Sequence, residues 1–303
     1  MVSVQPLRSL VAGPHARALC AASGLVAMDR HCWVVADDEQ QLAMFSLDEP
    51  AEPGAWVPLL DGALPDEPAA RKAAKPDFES LALLPPLPRL PHGALLAAGS
   101  GSRPNRQCAL LLPLDGQGLP AGPARALDLS ALYAPLAEQF AELNIEGWFV
   151  GDGRLRLLQR GNHRGGVNAC IAFEWAEASR WLAGSGPAPA PREIQRYELG
   201  RLGGVPLSFT DGCALPGGGW VFCAAAEDSP DSYADGACTG SALGVVAADG
   251  ALLGLRPLDT PAKVEGVALA PAGGVPTLLM VTDADNRNAP AWLLAAPLHE
   301  LQR

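Results

Sequence analysis

The chain has 303 residues, a net charge of −11, and hydrophobic side chains at 49% of its positions. An acidic balance of this kind excludes nucleic acid and anionic membrane as main partners, because both bind through a basic face. The hydrophobic share supports a sizeable core without disulfides or metals, and no stretch approaches the ~18 consecutive apolar residues of a membrane span.

In chain order, the first twenty residues are broken up by Pro6, Arg8, Pro14, His15 and Arg17 and do not read as a secretory leader. Short apolar runs bounded by Gly, Pro, Asn and Asp then follow in groups of four. The first group is SGLVAM, CWVVA, QLAMFSL and WVPLL; the second is ESLALL, GALLAAG, CALLLPL and ARALDL. The third is EGWFV, RLRLLQR, ACIAFEW and IQRYEL, and the fourth is DGCALP, GWVFCAAA, SALGVVAA and LLGLRPL. The fifth has only VEGVALA, TLLMVTD and AWLLAAPL, so VSVQPLRSLV at the N-terminus is expected to supply its missing strand. Four short strands per unit make a propeller blade. The expected fold is therefore all-β: one five-bladed β-propeller domain over residues 1–303, with four-stranded antiparallel blades and a ring closed by the N-terminal strand. Its blades average about 60 residues, longer than the ~40–45 of a WD repeat. A two-domain β-sandwich also has short strands, but it leaves the recurrence of one opening phrase unexplained. Helices are expected through ALYAPLAEQFAEL after Ser130, and in AEASRWLAG.

The opening phrase is an acidic or hydroxyl residue, a small residue, then an apolar run. It begins at Ser23, Glu79, Glu146, Asp211 and Glu265, with separations of 56, 67, 65 and 54 residues. The first strand of each blade lines the central channel, and antiparallel pairing puts its start on the face where the second strand ends. The five openings and the loops between second and third strands therefore share one mouth. Carboxylates converging there must pair with bases, share protons or bind a cation, since leaving them unpaired costs several kcal/mol. Three roles stay open: ligands for a hard cation, Ca²⁺ or else Mg²⁺; bonds to backbone N–H groups that keep blades in register; or an acid–base pair.

The second set of loops adds Asp37, Asp38, Arg103, Asn105, Arg106, Asn162, His163, Arg164, Asn168, Glu227, Asp228, Asp231, Asp283, Asp285 and Arg287, while Lys75 and Lys263 precede Glu79 and Glu265. The expected assignments are Ser23, Glu79, Glu146, Asp211 and Glu265 as metal ligands, and His163 and Glu146 as catalytic groups. Lys75, Arg103, Asn162, Arg164, Lys263 and Arg287 are assigned to a small anionic substrate. Asp283–Arg287 opens like an EF-hand loop but has Asn288 at the sixth position and Leu294 at the twelfth, so it fails that test. Cys32, Cys170, Cys213 and Cys223 lie in apolar runs and read as small buried hydrophobes. With no C-x-x-C pair and no glycosylation sequon, a reducing cytoplasm fits best.

The ring with its KVEGVAL and NIEGWFV phrases resembles five-bladed propellers of the calcium-dependent nucleotidase (apyrase) type, and the E-G phrase is similar to that of phytase-like esterase domains. The first resemblance implies a central calcium held by a Glu or Ser from each first strand; Asp211 departs from that pattern. Together with the basic rim it implies a metal-dependent hydrolase of phosphoesters or phosphoanhydrides. The alternative is a non-catalytic propeller that binds a small ligand or a protein, with a structural central cation. A sugar-acid lactonase is disfavoured, since such sites gather Asn and Asp beside a Glu within six blades.

Overall fold

The computed structural model describes residues 1–163, 165–228, 236–271, 274–284 and 286–301. Strand-rich sheets of four neighbours succeed one another around a ring, forming a five-bladed β-propeller. From the channel outward, blade 1 consists of Ala22–Met28, His31–Ala36, Gln41–Ser46 and Ala55–Pro58. Blade 2 is Phe78–Leu84, Ala94–Gly99, Cys108–Pro113 and Arg125–Asp128; blade 3 is Ile145–Gly151, Arg154–Gln159, Asn168–Glu174 and Glu193–Tyr197. Blade 4 is Val205–Ala214, Trp220–Asp228, Ala237–Val246 and Leu252–Pro257, with Arg201–Leu202 added beside its inner strand. Blade 5 is Lys263–Leu269, Thr277–Asp283 and Trp292–Pro297, completed on its outer edge by Gln5–Ser9, which pairs antiparallel from Gln5 opposite Ala295 to Ser9 opposite Trp292. The N-terminal strand thus closes the ring as the strand count implied.

The core explains why these strands read as unbroken apolar runs. It is divided into five hydrophobic clusters, one in each seam between neighbouring blades: Trp33 and Phe78 share the first seam, Trp148 and Leu96 the second, Phe149 and Phe222 the third. Val221 and Val267 share the fourth, Leu25 and Leu279 the fifth. A blade buried on both faces needs apolar residues at consecutive positions, so the two-residue alternation of a half-exposed sheet is lost.

The expected helices form at Ser130–Ala137 and Trp175–Leu182. The first stops short of the FAEL segment, and its start is held by Asp128, whose Oδ1 accepts from the Ser130 N–H (2.8 Å) and hydroxyl (2.5 Å). A further helix, Pro68–Ala74, lies in the link between blades 1 and 2, with the Glu67 carboxylate accepting from the Ala69 and Ala70 N–H groups. Among the described residues no helix is long and apolar enough to cross a membrane. All seven cysteines are free; Cys32, Cys170 and Cys223 are buried and Cys213 is partly so.

Candidate functional site

The channel mouth is shaped by a bulge repeated in every inner strand. One residue is left unpaired between two ladder pairs, which re-aims its side chain. That residue is Ser23 in blade 1, Glu79 in blade 2, Glu146 in blade 3 and Glu265 in blade 5. In blade 4 it is Thr210. Asp211 pairs opposite Cys223, the position held by Gly24, Ser80, Gly147 and Gly266 in the other blades. The expected ring is thus corrected at one point: matching the Asp-Gly dipeptide to Glu-Gly moves blade 4 by one residue, and neighbouring positions of a strand face different ways.

The geometry gives Asp211 a different task. A Cβ on Gly24 would stand 2.5 Å from the Leu81 nitrogen of the next blade, so this position faces the inter-blade seam. Asp211 reaches across its own seam, and its Oδ2 accepts from the Val267 N–H of blade 5 at 3.0 Å. Thr210 crosses the same seam, its hydroxyl donating to the Val264 carbonyl at 2.9 Å. Asp211 is 1% exposed, and its Oδ1 has no hydrogen-bond partner. Burial pushes its pKa well above the ordinary 3.8; the bond from Val267 opposes, and the charges of Glu265 and Glu146 add to the rise.

The other ring residues line a polar cavity of about 60 Å³. Among the described residues its wall carries seven acids (Asp37, Asp77, Glu79, Glu146, Glu227, Glu265, Asp283) and five bases (Lys72, Lys75, Arg106, Arg160, Lys263). Seven minus five leaves an excess of two negative charges when all are ionised. Two protons or one divalent cation would neutralise it.

The centre of this network is Arg160, which follows the second strand of blade 3. It is 4% exposed, and its guanidinium donates to Glu146 Oε2 at 3.1 Å and to Glu227 Oε2 at 2.5 Å, with Glu265 Oε1 at 3.6 Å. Lys263 stands 3.1 Å from Glu265, 3.4 Å from Glu227 and 3.4 Å from Asp283. Gln159 and Asn144 hold Glu146 in place: the Gln159 Oε1 accepts from the Asn144 N–H at 2.9 Å, and Asn144 Nδ2 donates to Glu146 Oε1 at 2.6 Å. Burial raises the Glu146 pKa; Arg160 opposes and Glu265 reinforces, leaving it at about 7. Burial alone would lower Arg160 and Lys263, yet the surrounding carboxylates hold both well above their ordinary values.

A second group sits at the edge between blades 1 and 2. Oxygens of Asp37, Asp77 and Glu79 lie within 4.8 Å of one another. Lys75 pairs with Asp37 and lies 3.1 Å from Asp77 Oδ1, while Asp77 Oδ2 takes the Arg106 guanidinium at 2.8 Å and the Ser100 hydroxyl at 2.7 Å. Burial raises Asp37 to about 6, against the pull of Lys75. Glu79 is half-buried, and desolvation with the charges of Asp77, Glu146 and Asp37 pushes its pKa well above the carboxylate range.

The five-residue ring does not fit a central metal. Glu146 and Glu265 share Arg160, the Ser23 hydroxyl donates to the Ala21 carbonyl at 3.2 Å, and the fifth place is Thr210. The edge group does have the all-oxygen chemistry of a hard-cation site, with Lys75 on two of its carboxylates. Of the residues assigned to substrate, Lys75, Lys263 and Asn162 line the cavity. Arg287 is exposed and lines an adjoining groove with Lys72 and Arg71; Arg103 is exposed in a separate groove beside Phe140. His163 is half-buried outside the cavity lining, and Arg164, Asp231 and Asp285 lie outside the described residues. Arg160, Asp77, Gln159 and Asn144 were not singled out by sequence. The signal for Arg160 was present, since the end of a second strand opens on the mouth.

A five-bladed propeller whose mouth gathers carboxylates and their basic partners is the class that fold and site define. The chain belongs to a family of unknown function, DUF6929, whose model matches residues 18–298. No curated protein matches it. Among solved structures, the glutaminyl cyclase of Myxococcus xanthus is similar, with 15% identity, a TM-score of 0.51, and coverage of 97% of this chain and 96% of that one. The tail fibre of Staphylococcus aureus phage P68 matches with 10% identity and a TM-score of 0.50, over 99% of this chain and 54% of that one. A gluconolactonase from Xanthomonas campestris matches with 11% identity and a TM-score of 0.44, over 97% and 89%. The first two likenesses show the fold alone. The apyrase-type resemblance rests on the short opening phrases.

Proposed function

We propose that the protein is a hydrolase of a small anionic phosphoester or phosphoanhydride, working at the channel mouth with a divalent cation, calcium or magnesium. The observation that carries this reading is the edge group: Glu79 faces the cavity with Asp37 and Asp77 oxygens within 4.8 Å. Those three carboxylates would hold the cation, with Lys75 released from Asp37. When bound, the cation would polarise the scissile group or lower the pKa of a water. Lys72 and Arg287 flank the adjoining groove of about 260 Å³, a path along which an anion meets positive charge before it meets the carboxylates. Glu146, which lines the same cavity with a pKa of about 7, would accept a proton from water and return it to the leaving group.

The reading is tested by screening nucleoside triphosphates and p-nitrophenyl phosphate with Ca²⁺ and Mg²⁺, with and without EDTA. EDTA-sensitive turnover that Glu79→Gln removes is the expected result; no such turnover on any substrate sinks it. A second reading, a non-catalytic ligand-binding propeller, is favoured by Arg160 and Lys263, which already give the central carboxylates basic partners. Under that reading, Glu79→Gln alters melting and no activity exists to lose.

A further inference from the structure

Two of the five opening residues, Glu146 and Glu265, share one buried side chain rather than standing open to a metal. Arg160 touches carboxylates from three separate strands, with nitrogen–oxygen distances of 3.1 Å to Glu146, 2.5 Å to Glu227 and 3.6 Å to Glu265. These belong to blades 3, 4 and 5, so one guanidinium ties together three-fifths of the ring. We infer that Arg160 is the resident cation of the channel centre, that it excludes a divalent ion from that point, and that removing its guanidinium turns Glu146, Glu227 and Glu265 into a calcium-type site.

Charge, geometry and chemistry agree. When all three are ionised, these carboxylates carry three negative charges against two positive ones from Arg160 and Lys263 among the described residues. A divalent ion added beside them would place four positive charges against three, at separations of 3–4 Å where burial weakens screening. The planar fork of Arg suits carboxylates on different strands, because its nitrogens point in fixed and different directions. Take the fork away, and three buried carboxylates keep Lys263 as a cationic neighbour, with Asn144 Nδ2 still donating to Glu146 and the Gly236 N–H to Glu227. Hard oxygen donors in excess negative charge are what Ca²⁺ coordinates. This centre is distinct from the Asp37–Asp77–Glu79 group, and the inference goes beyond the hydrolase reading without depending on it.

The test is calorimetric titration of the full-length protein with CaCl₂, alongside thermal melts. Arg160→Met is expected to bind one more Ca²⁺ than the wild type, and adding Glu265→Gln to that variant is expected to weaken the new site by about tenfold or more. Glu265→Gln alone is expected to leave wild-type Ca²⁺ binding unchanged. A tenfold loss of wild-type affinity on Glu265→Gln would place the metal at the centre beside Arg160 and overturn the inference. So would a folded Arg160→Met that gains no Ca²⁺. Where Arg160→Met folds only with Ca²⁺, and not with Na⁺ at matched ionic strength, the inference is supported; where it never folds, the wild-type Glu265→Gln titration decides. A wild type that binds no Ca²⁺ counts against the cation-assisted hydrolase and leaves the expected gain in Arg160→Met intact.

Discussion

Asp77 shows how tightly individual residues are committed at the mouth. It is 3% exposed, adopts a left-handed backbone with φ 58°, and satisfies Arg106, Lys75 and the Ser100 hydroxyl together. Asn tolerates that backbone conformation, so Asp77→Asn tests the charge rather than the turn. Removing the charge that faces the buried Arg106 should cost up to about 3–5 kcal/mol in denaturant unfolding, and Asp77→Asn/Arg106→Met should recover part of that loss. Asp211 makes the opposite case, since burial holds the pKa of its carboxyl well above the ordinary value. A group that binds its proton more tightly when folded gives stability that is present at low pH and lost as pH rises through the folded value. Asp211 and Glu146 have the same sign, so unfolding free energy should fall between about pH 5 and pH 8. Asp211→Asn keeps an acceptor for the Val267 N–H and should flatten that fall; an unchanged slope in urea titrations at the two pH values would contradict it. Sequence named most of the mouth's carboxylates but misplaced this one. A one-residue bulge leaves no trace in composition, and Thr210-Asp211-Gly212 matches Glu-Gly equally well in words. Arg160 was passed over for a related reason: in RLRLLQR it reads as one more polar end of a strand, and only the meeting of blades 3, 4 and 5 makes it central.

At the scale of elements, the inner strands are what sequence conveyed best. Their apolar runs and turn residues survive variation in loop length, because each must bury both faces against neighbouring blades. The second residue of the opening phrase carried a meaning that its spacing alone could not reveal. Gly24 is small because the next blade's backbone stands against it: a Cβ there would lie 2.5 Å from the Leu81 nitrogen and 3.0 Å from the Ser80 carbonyl carbon. Backbone cannot swing aside as a side-chain end can, so Gly24→Ala should destabilise by about 1–3 kcal/mol through overpacking. Gly122 is the matched control, since it is exposed and a Cβ added there would meet nothing within 4 Å. Gly122→Ala should fall within about 0.5 kcal/mol of the wild type. Equal effects of the two substitutions on the melting temperature would show that the seam has slack. The Pro68–Ala74 helix was not legible in the same way, because its seven residues show no apolar periodicity and its start depends on Glu67 capping the Ala69 and Ala70 N–H groups.

For the molecule as a whole, the decisive contact joins the two ends of the chain. Each hydrophobic cluster lies between adjacent blades, so every blade is supported only by its two neighbours, and an open array would leave two blades half-supported. Gln5–Ser9 prevents this by covering the outer edge of Trp292–Pro297. The segment before it reaches blade 4 as well: the Val2 N–H donates to the Pro257 carbonyl at 2.8 Å, and the Asp259 N–H donates to the Val2 carbonyl at 3.0 Å. Arg8 stands 4.8 Å from the centre of the Phe45 ring, which links the closing strand to blade 1. Ten residues thus touch blades 1, 4 and 5. A variant lacking residues 1–10 should lose far more stability than its share of the core suggests, and should expose an unpaired strand edge that favours self-association. Melting followed by circular dichroism should show an earlier and broader transition, and size-exclusion chromatography should show oligomers. Supplying residues 1–10 as a peptide should reverse both effects in part. A truncated protein that stays monomeric and melts at the wild-type temperature would mean that the first four blades hold the fifth without help, and the closing strand would then be an ornament of the ring rather than its lock.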